Sequence, residues 1–230
     1  MTTKSILITK NGPYLVAREI SLNQATIACN SDGESETWRK GKAYDTGNRE
    51  TYALCRCGHS HKKPFCDGAH LAVGFQGRER ADRPAYADRA RRFEGPDLDL
   101  LDDKNLCVGA RFCDKDGTVW KMIRRTDDPR VRDLAIKAAC DCPGGRLTAV
   151  TKDGDPIEPE LAREISLVED PENNFRGPLW AQGGIAIEGA DGERYEVRNR
   201  VALCRCGESR NMPYCDISHM RCPHMQGFDR

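Results

Sequence analysis

The stretch at residues 52–58, Tyr-Ala-Leu-Cys-Arg-Cys-Gly, occurs a second time at residues 201–207 as Val-Ala-Leu-Cys-Arg-Cys-Gly. Each copy is followed at the same distance by a related stretch, Pro-Phe-Cys-Asp at 64–67 and Pro-Tyr-Cys-Asp at 213–216. A repeat in register constrains a fold strongly, because each copy is expected to form the same structural unit. The chain is therefore predicted to contain two similar halves.

Both copies share the pattern Cys-x-Cys-x8-Cys-x3-His. Two cysteines one residue apart at the end of a strand can turn both thiolates toward one iron, and a cysteine and a histidine four apart share one face of a short helix. The spacing suits a 2Fe-2S cluster in each copy. The candidate ligands are Cys55, Cys57, Cys66 and His70 in the first copy and Cys204, Cys206, Cys215 and His219 in the second.

Zinc is the main alternative, because three cysteines and one histidine are also an ordinary tetrahedral zinc set. Zinc knuckles usually begin with Cys-x2-4-Cys, so the Cys-x-Cys spacing favours iron. A catalytic Cys-His pair would not explain four clustered ligands that occur twice, and we expect no enzymatic site. A zinc-stapled interaction module and a redox or iron sensor remain open.

The composition agrees with small domains held together by metal. Of 230 residues, 38% are hydrophobic, 31% are charged and twelve are cysteines, a lean supply of core material. Lys+Arg and Asp+Glu are 36 each, which disfavours nucleic acid as a partner. The apolar run at residues 6–8 is too short for a signal peptide and no membrane span is expected, so we predict a cytoplasmic protein with reduced thiols.

The segments between the motifs differ in character. Strand-like runs precede both motifs, and the first copy carries an insertion around residues 30–42. In the middle, Asp128 and Pro129 predict the start of an amphipathic helix, with strands expected at 117–123 and 146–151. The predicted parts are a first half (1–76), a charged connector (77–96), an α+β middle domain (97–155) and a second half (156–230).

The first motif, ending Cys66-Asp67-Gly68-Ala69-His70, resembles the CDGSH iron-sulfur domain, also called mitoNEET-like. The resemblance implies a 2Fe-2S cluster with its histidine on the more exposed iron, and a β-sandwich built from two motifs. The tandem copies imply a monomer with an internal pseudo-dimer, similar to the soluble bacterial members. The second motif departs from the family at Ile217, where glycine is usual, so that site could be distorted or differently tuned.

The middle domain is similar to small single-cluster ferredoxins. Cys107, Cys113 and the Cys142-Pro143 pair follow the ferredoxin pattern, with Ala110 in place of its central cysteine. Three ligands would suit a 3Fe-4S cluster, and Cys140 could complete a set for 4Fe-4S. Alternatively, the domain has kept only the fold, with buried or free thiols.

Four further residues receive plainer interpretations. Arg56 and Arg205, inside the Cys-x-Cys turns, are expected to offset cluster charge or to face solvent, and Cys222 and His224 to lie on a mobile tail without partners.

The sequence as a whole predicts an α+β, mostly β protein: a tandem CDGSH sandwich with a ferredoxin-like insert. Its expected role is electron transfer to a redox partner, or cluster transfer to an apo iron-sulfur acceptor protein.

Overall fold

A computed structural model describes residues 5–115 and 117–227 of the chain. Within them the protein is mostly β, as predicted. The strands are β1 (Ser5–Ile8), β2 (Tyr14–Ala17), β3 (Ser21–Cys29), β4 (Ser35–Ala43), β5 (Thr51–Leu54), β6 (Arg91–Phe93), β7 (Leu98–Asp102), β8 (Leu147–Thr151), β9 (Pro156–Ile157), β10 (Glu164–Asp170), β11 (Phe175–Gln182), β12 (Ala186–Glu188) and β13 (Arg200–Leu203). The α-helices are α1 (Ala69–Ala72), α2 (Tyr86–Arg89), α3 (Val119–Met122) and α4 (Pro129–Cys140), with 3-10 turns at Lys104–Leu106, Ile123–Arg125, Ser218–Arg221 and Pro223–Met225.

Two sheets interleave the two halves of the chain. One sheet has the order β12-β1-β2-β5 and the other the order β13-β11-β10-β3-β4. Strand β12 from the second half pairs in parallel with β1, and β3 from the first half pairs in parallel with β10. Each half therefore donates a strand to the sheet of the other half, which confirms the predicted internal pseudo-dimer as a strand-exchanged sandwich.

A shared apolar core holds these two sheets together. Ile6 and Ile8 alternate along β1 with more exposed neighbours, and both are almost completely buried, as the two-residue period of a half-buried strand requires. Residues of β10, β11 and β13, including Leu167 and Leu179, belong to the same cluster. The Tyr14 hydroxyl donates to the Cys204 carbonyl oxygen (2.8 Å), so the first half reaches directly into the second motif.

The insertion in the first half forms a hairpin from β3 and β4. Trp38 on this hairpin stacks at tilted angles with Phe112 and Trp180, with ring centroids 4.9 and 4.8 Å apart. Its indole N–H donates to the Asp141 carbonyl oxygen at the end of α4 (3.1 Å). The hairpin therefore fastens the middle of the chain to the sandwich.

The middle of the chain forms a third, antiparallel sheet of order β6-β7-β8-β9 with two helices packed on it. Helix α4 begins at Pro129, and Asp128 caps it by accepting from the Arg130 N–H (2.9 Å), as expected. The strand predicted at 117–123 is wrong, because this segment forms α3 and the start of a 3-10 turn. The buried residues Val119, Met122 and Ile123 have helical rather than alternating spacing, and packing on α4 outweighs their preference for strands.

Among the described residues, no helix combines the length and apolar character that crossing a bilayer requires.

Candidate metal centres

In both halves a short backbone bridge brings the two parts of the motif together. Leu54 at the end of β5 bridges to Phe65, the Cys55 N–H donates to the Pro64 carbonyl oxygen (2.8 Å), and the Cys66 N–H donates to that of Ala53 (2.9 Å). The second half repeats this bridge between Leu203 and Tyr214. The strand ends therefore place the Cys-x-Cys turn beside the third cysteine.

The eight predicted ligands lie in four close pairs. In the first half, the Cys55 and Cys57 sulfurs are 3.7 Å apart and the Cys66 sulfur is 3.5 Å from His70 Nδ1. The corresponding separations in the second half are 3.5 Å for Cys204 and Cys206 and 3.3 Å for Cys215 and His219. Two ligands of one tetrahedral metal, with bonds of about 2.0–2.3 Å, lie about 3.5–3.8 Å apart. Each pair is therefore close to the spacing for one metal ion.

The third thiol of each motif is near the first two. Among the groups that act electrostatically on Cys57 are Cys55 and Cys66, and among those that act on Cys206 are Cys204 and Cys215. Within residues 5–115 and 117–227, no group of three or more Cys, His, Asp or Glu side chains surrounds a single metal position. Each motif therefore brings its third cysteine into the neighbourhood of the Cys-x-Cys pair.

Burial raises the pKa values of three of the candidate ligand thiols when no metal is bound. It raises the pKa of Cys57 to about 11, and it also raises the pKa values of Cys66 and Cys215. In the buried pair Cys204 and Cys206, the hydrogen bond between the thiols lowers the pKa of Cys204 to about 7 and raises that of Cys206. Metal ligation needs thiolates, so loading either site has to release protons.

An aspartate after the third cysteine orders each ligand loop. Asp67 accepts from the His61 N–H (2.8 Å) and the Ala69 N–H (3.0 Å), and these bonds lower its pKa to about 2. Asp216 accepts from the Arg210 N–H (2.8 Å) and the Ser218 N–H (3.1 Å) in the same way. These bonds tie the loop between ligands to the turn that carries the histidine.

The arginines of the Cys-x-Cys turns are structural. Arg56 is almost completely buried and donates to the carbonyl oxygens of Thr9 (3.1 Å) and Gly77. Arg205 donates to the Gly177 carbonyl oxygen (2.6 Å) and pairs with Glu169 (3.0 Å). The expectation that these arginines face solvent is therefore wrong, because their guanidinium groups satisfy backbone carbonyls inside the protein.

The two ligand turns pack back to back. A Cβ atom added to Gly58 would lie 2.6 Å from the Cys206 carbonyl oxygen, and one added to Gly207 would lie 2.5 Å from that of Cys57. Both glycines also have positive φ, +82° and +85°. The four Cys-x-Cys thiols share one apolar cluster with Phe75, Met212, Cys222 and Met225. The two centres are thus joined through a common buried, apolar region.

The segment after the second motif covers this region. Cys222 is buried and donates to the Ser218 carbonyl oxygen (3.3 Å). His224 Nε2 donates to the Cys206 carbonyl oxygen (2.9 Å), and its ring lies 4.7 Å from that of His59. The prediction of a partnerless tail was wrong for these two residues, and no pattern in their own sequence indicated these contacts.

The two centres differ in exposure. His70 and Cys66 are half-buried, whereas His219 and Cys215 are each 3% exposed. Burial lowers the pKa of His219 to about 4, and the Arg205 charge adds to this effect. The second centre is therefore shielded from water and protons, and the first is accessible.

Ile217 keeps the backbone that glycine adopts in the first copy. Its φ is +66°, against +92° for Gly68, so both residues are left-handed. A β-branched residue there costs about 1–2 kcal/mol. The ligand pair around Ile217 nevertheless has nearly the same spacing as in the first copy, so the substitution strains the loop without distorting the pair.

Three of the four central cysteines surround one small cavity. Cys107, Cys113 and Cys142 line it together with Arg146. Cys140 instead directs its thiol to the Ile157 carbonyl oxygen (3.7 Å) and borders a different cavity beside Trp38. The structure therefore groups the three cysteines of the ferredoxin pattern and does not support Cys140 as their fourth ligand.

Comparison with protein families matches residues 11–71 and 176–220 to the family described as iron-binding zinc finger, CDGSH type. Residues 93–152 match the family described as divergent 4Fe-4S mono-cluster. Neither the curated proteins nor the solved structures include a match to the chain.

Proposed function

We propose that each repeat of this chain holds one 2Fe-2S cluster. The premise is that the chain is a tandem CDGSH iron-binding protein with a divergent 4Fe-4S domain between its repeats. The ligands would be Cys55, Cys57, Cys66 and His70 in the first repeat and Cys204, Cys206, Cys215 and His219 in the second. The observation that carries the proposal is the division of each motif into two ligand pairs, each close to the spacing for one tetrahedral metal.

We propose a third cluster in the middle domain, held by Cys107, Cys113 and Cys142. These thiols line one cavity with Arg146, whose guanidinium pairs with Asp102 (2.7 Å) and also interacts with Cys107. Three cysteines suit a 3Fe-4S cluster, and a 4Fe-4S cluster there would take its fourth ligand from another source.

The proposed role is one-electron transfer, the chemistry that bound iron-sulfur clusters supply. The chain's own residues support this role by holding the ligands in a dry, hydrogen-bonded frame. The back-to-back turns keep both ligand sets within one apolar cluster, which favours a carrier working with a redox partner over an enzyme. Donation of a cluster to an apo acceptor is a second candidate, favoured at the first site by the half-buried His70 and Cys66.

Counting iron and acid-labile sulfide in the purified protein tests these assignments. Two 2Fe-2S clusters account for four irons per chain, and a filled middle site adds three or four. Cys142→Ser is expected to remove only the additional iron, while the matched variant Cys140→Ser retains it, because the Cys140 thiol points elsewhere. A colourless protein with stoichiometric zinc would overturn the proposal and favour an interaction module.

A further inference from the structure

An exposed apolar surface lies directly beside the accessible centre. Leu71 and Val73, which follow the ligand His70, are 79% and 47% exposed. All four residues of α1 are half-buried or exposed, so this turn projects from the sandwich. Large exposed apolar side chains next to a ligand are typical of a contact surface.

In the second half, the corresponding surface is covered by the middle domain. A Cβ atom added to Gly109, in the loop between Cys107 and Cys113, would lie 2.2 Å from Met220 Cε and 3.5 Å from Ile217 Cγ2. Residues on both sides of Gly109 in that loop contribute to the same contact. The ligand Cys215 shares an apolar cluster with Val108, Ala110 and Phe112.

Polar contacts fix the same loop in place. The Asn211 side-chain amide donates to the Asn105 carbonyl oxygen (2.9 Å), and Arg111 forms two bonds with Asp170 (2.7 and 3.2 Å). Cys107 is also among the groups that act electrostatically on Cys215. A ferredoxin-type ligand loop thus sits directly on the second centre.

The repeat relates these two surfaces residue by residue. With the motifs aligned, Leu71 corresponds to Met220, and Lys62 corresponds to Asn211. The same structural position therefore meets a ferredoxin loop in one half and solvent in the other. The chain contains one middle domain for two such surfaces.

We infer that the surface formed by Lys62, His70, Leu71 and Val73, here called the open face, docks a separate small ferredoxin through its cluster-binding loop. This inference rests on the proposed function, and it names the class of redox partner. The contact within the chain provides the template: small loop residues of the partner would pack on Leu71 as Gly109 packs on Met220.

Charge further defines the partner. Lys62 of the open face is exposed, and so is the neighbouring His61, which lies 3.5 Å from the Asp67 carboxylate. The Lys63 ammonium is directed elsewhere and donates to the His224 carbonyl oxygen (3.2 Å). Asn211 of the second half corresponds to Lys62, so the open face carries a positive charge at a position where the covered surface has none. A ferredoxin with an acidic rim around its cluster loop would therefore complement it, with association that weakens as salt is added.

The test is a calorimetric titration that measures binding of a purified small 4Fe-4S ferredoxin of acidic surface to the full-length, cluster-loaded protein. Leu71→Asp is expected to weaken binding at least about tenfold, as expected for a central contact residue. Leu71→Met, which reproduces the residue of the covered surface, should bind within about threefold of the unchanged protein. Val197→Asp is the matched control, because Val197 is another exposed apolar side chain (56%).

Absence of ferredoxin binding by the unchanged protein would overturn the inference, and so would equal binding by Leu71→Asp. Loss of self-association in Leu71→Asp, with ferredoxin binding intact, would assign the open face to a second copy of the chain instead. Cluster absorption is recorded for every sample. Absence of clusters in the unchanged protein would count against the proposed function, whereas full clusters with no effect at Leu71 would count only against the docking surface.

Discussion

The two ligand histidines have the same sequence context and different surroundings. His70 follows a loop at the protein surface, whereas His219 is almost completely buried, next to Phe175 and near Arg205. A neutral imidazole and a thiolate contribute different charge to a cluster, so a histidine ligand would set the potential as well as the proton sensitivity of each proposed site. His70 is the one that a proton or a partner can reach.

Replacing His70 by Cys should lower the reduction potential of the first site and remove its dependence on pH. The expected change is on the order of 200 mV, because two-histidine clusters lie between about −150 and +300 mV and plant-type four-cysteine clusters near −400 mV. Protein-film voltammetry between pH 6 and 9 measures both effects. His61→Asn is the control, since the exposed His61 belongs to no ligand pair; a pH profile that persists in His70→Cys would contradict the histidine assignment.

The grouping of the candidate ligands into close pairs could be predicted from the sequence because their spacing repeats. The difference in burial between the two sites could not be predicted from the spacing. Ile217 indicated a difference between the copies, but the burial of His219 arises from residues far away in sequence, including Phe175. The role of Cys222 and His224 was missed for a related reason, because nothing in their own pattern reveals the Cys206 carbonyl that His224 contacts.

Among the elements, β13 joins the middle domain to the sandwich. Arg200 on this strand is almost completely buried and donates to the carbonyl oxygens of Ala139 (2.5 Å), Cys140 (3.1 Å) and Cys142 (2.9 Å) at the end of α4. It also pairs with Glu158 (2.6 Å). One side chain therefore satisfies the free carbonyl groups of a helix end that is packed against a strand.

Arg200→Met should lower the free energy of unfolding by about 3–5 kcal/mol, because it leaves Glu158 and the helix carbonyls without their buried partner. Urea denaturation followed by circular dichroism provides the measurement. Arg194→Met is a suitable control, since Arg194 forms an exposed 3.9 Å pair with Glu188 and its loss should cost less than about 1 kcal/mol. Equal effects of the two substitutions would show that Arg200 does not anchor α4.

Elements with a single dominant pattern were predictable. The start of α4 follows from Asp128 and Pro129, a local cap and first-turn signal that tertiary packing does not alter. The 117–123 segment shows the limit of such reasoning. Its β-branched residues favour a strand, and their packing against α4 outweighs that preference.

At the scale of the whole molecule, the difference in exposure between His70 and His219 should set the order in which the two proposed sites lose their clusters in acid. The pKa of His219, lowered to about 4, lies below the value of about 6.5 for an unperturbed histidine. Between these values the unfolded chain takes up a proton that folded His219 does not, so the folded state loses stability as the pH falls through this window and is not further affected below it. Within the fold, a proton would compete only weakly at His219 with the metal of the proposed site.

After a jump from pH 7.5 to 5 in a Cys142→Ser background, which removes the proposed middle cluster, we therefore expect visible absorbance to decay in two phases, with the first site emptying faster. Cys66→Ser, which removes a ligand of the first site, should retain only the slow phase, and Cys215→Ser only the fast one. Stopped-flow absorbance in the visible charge-transfer bands of the clusters records the decay. Identical rates in the two variants would contradict an unequal pair of sites.

The exchange of β3 and β12 means that the covalent link between the halves is not what keeps them together. Strand β3 lies between β10 and β4, and β12 forms the edge beside β1, so a nick in the connector around residues 78–84 would leave two fragments clasped by the sandwich. The same contacts would form between halves made as separate polypeptides. Continuity of the chain adds instead a fixed one-to-one pairing of two unlike halves, which two identical subunits could not provide.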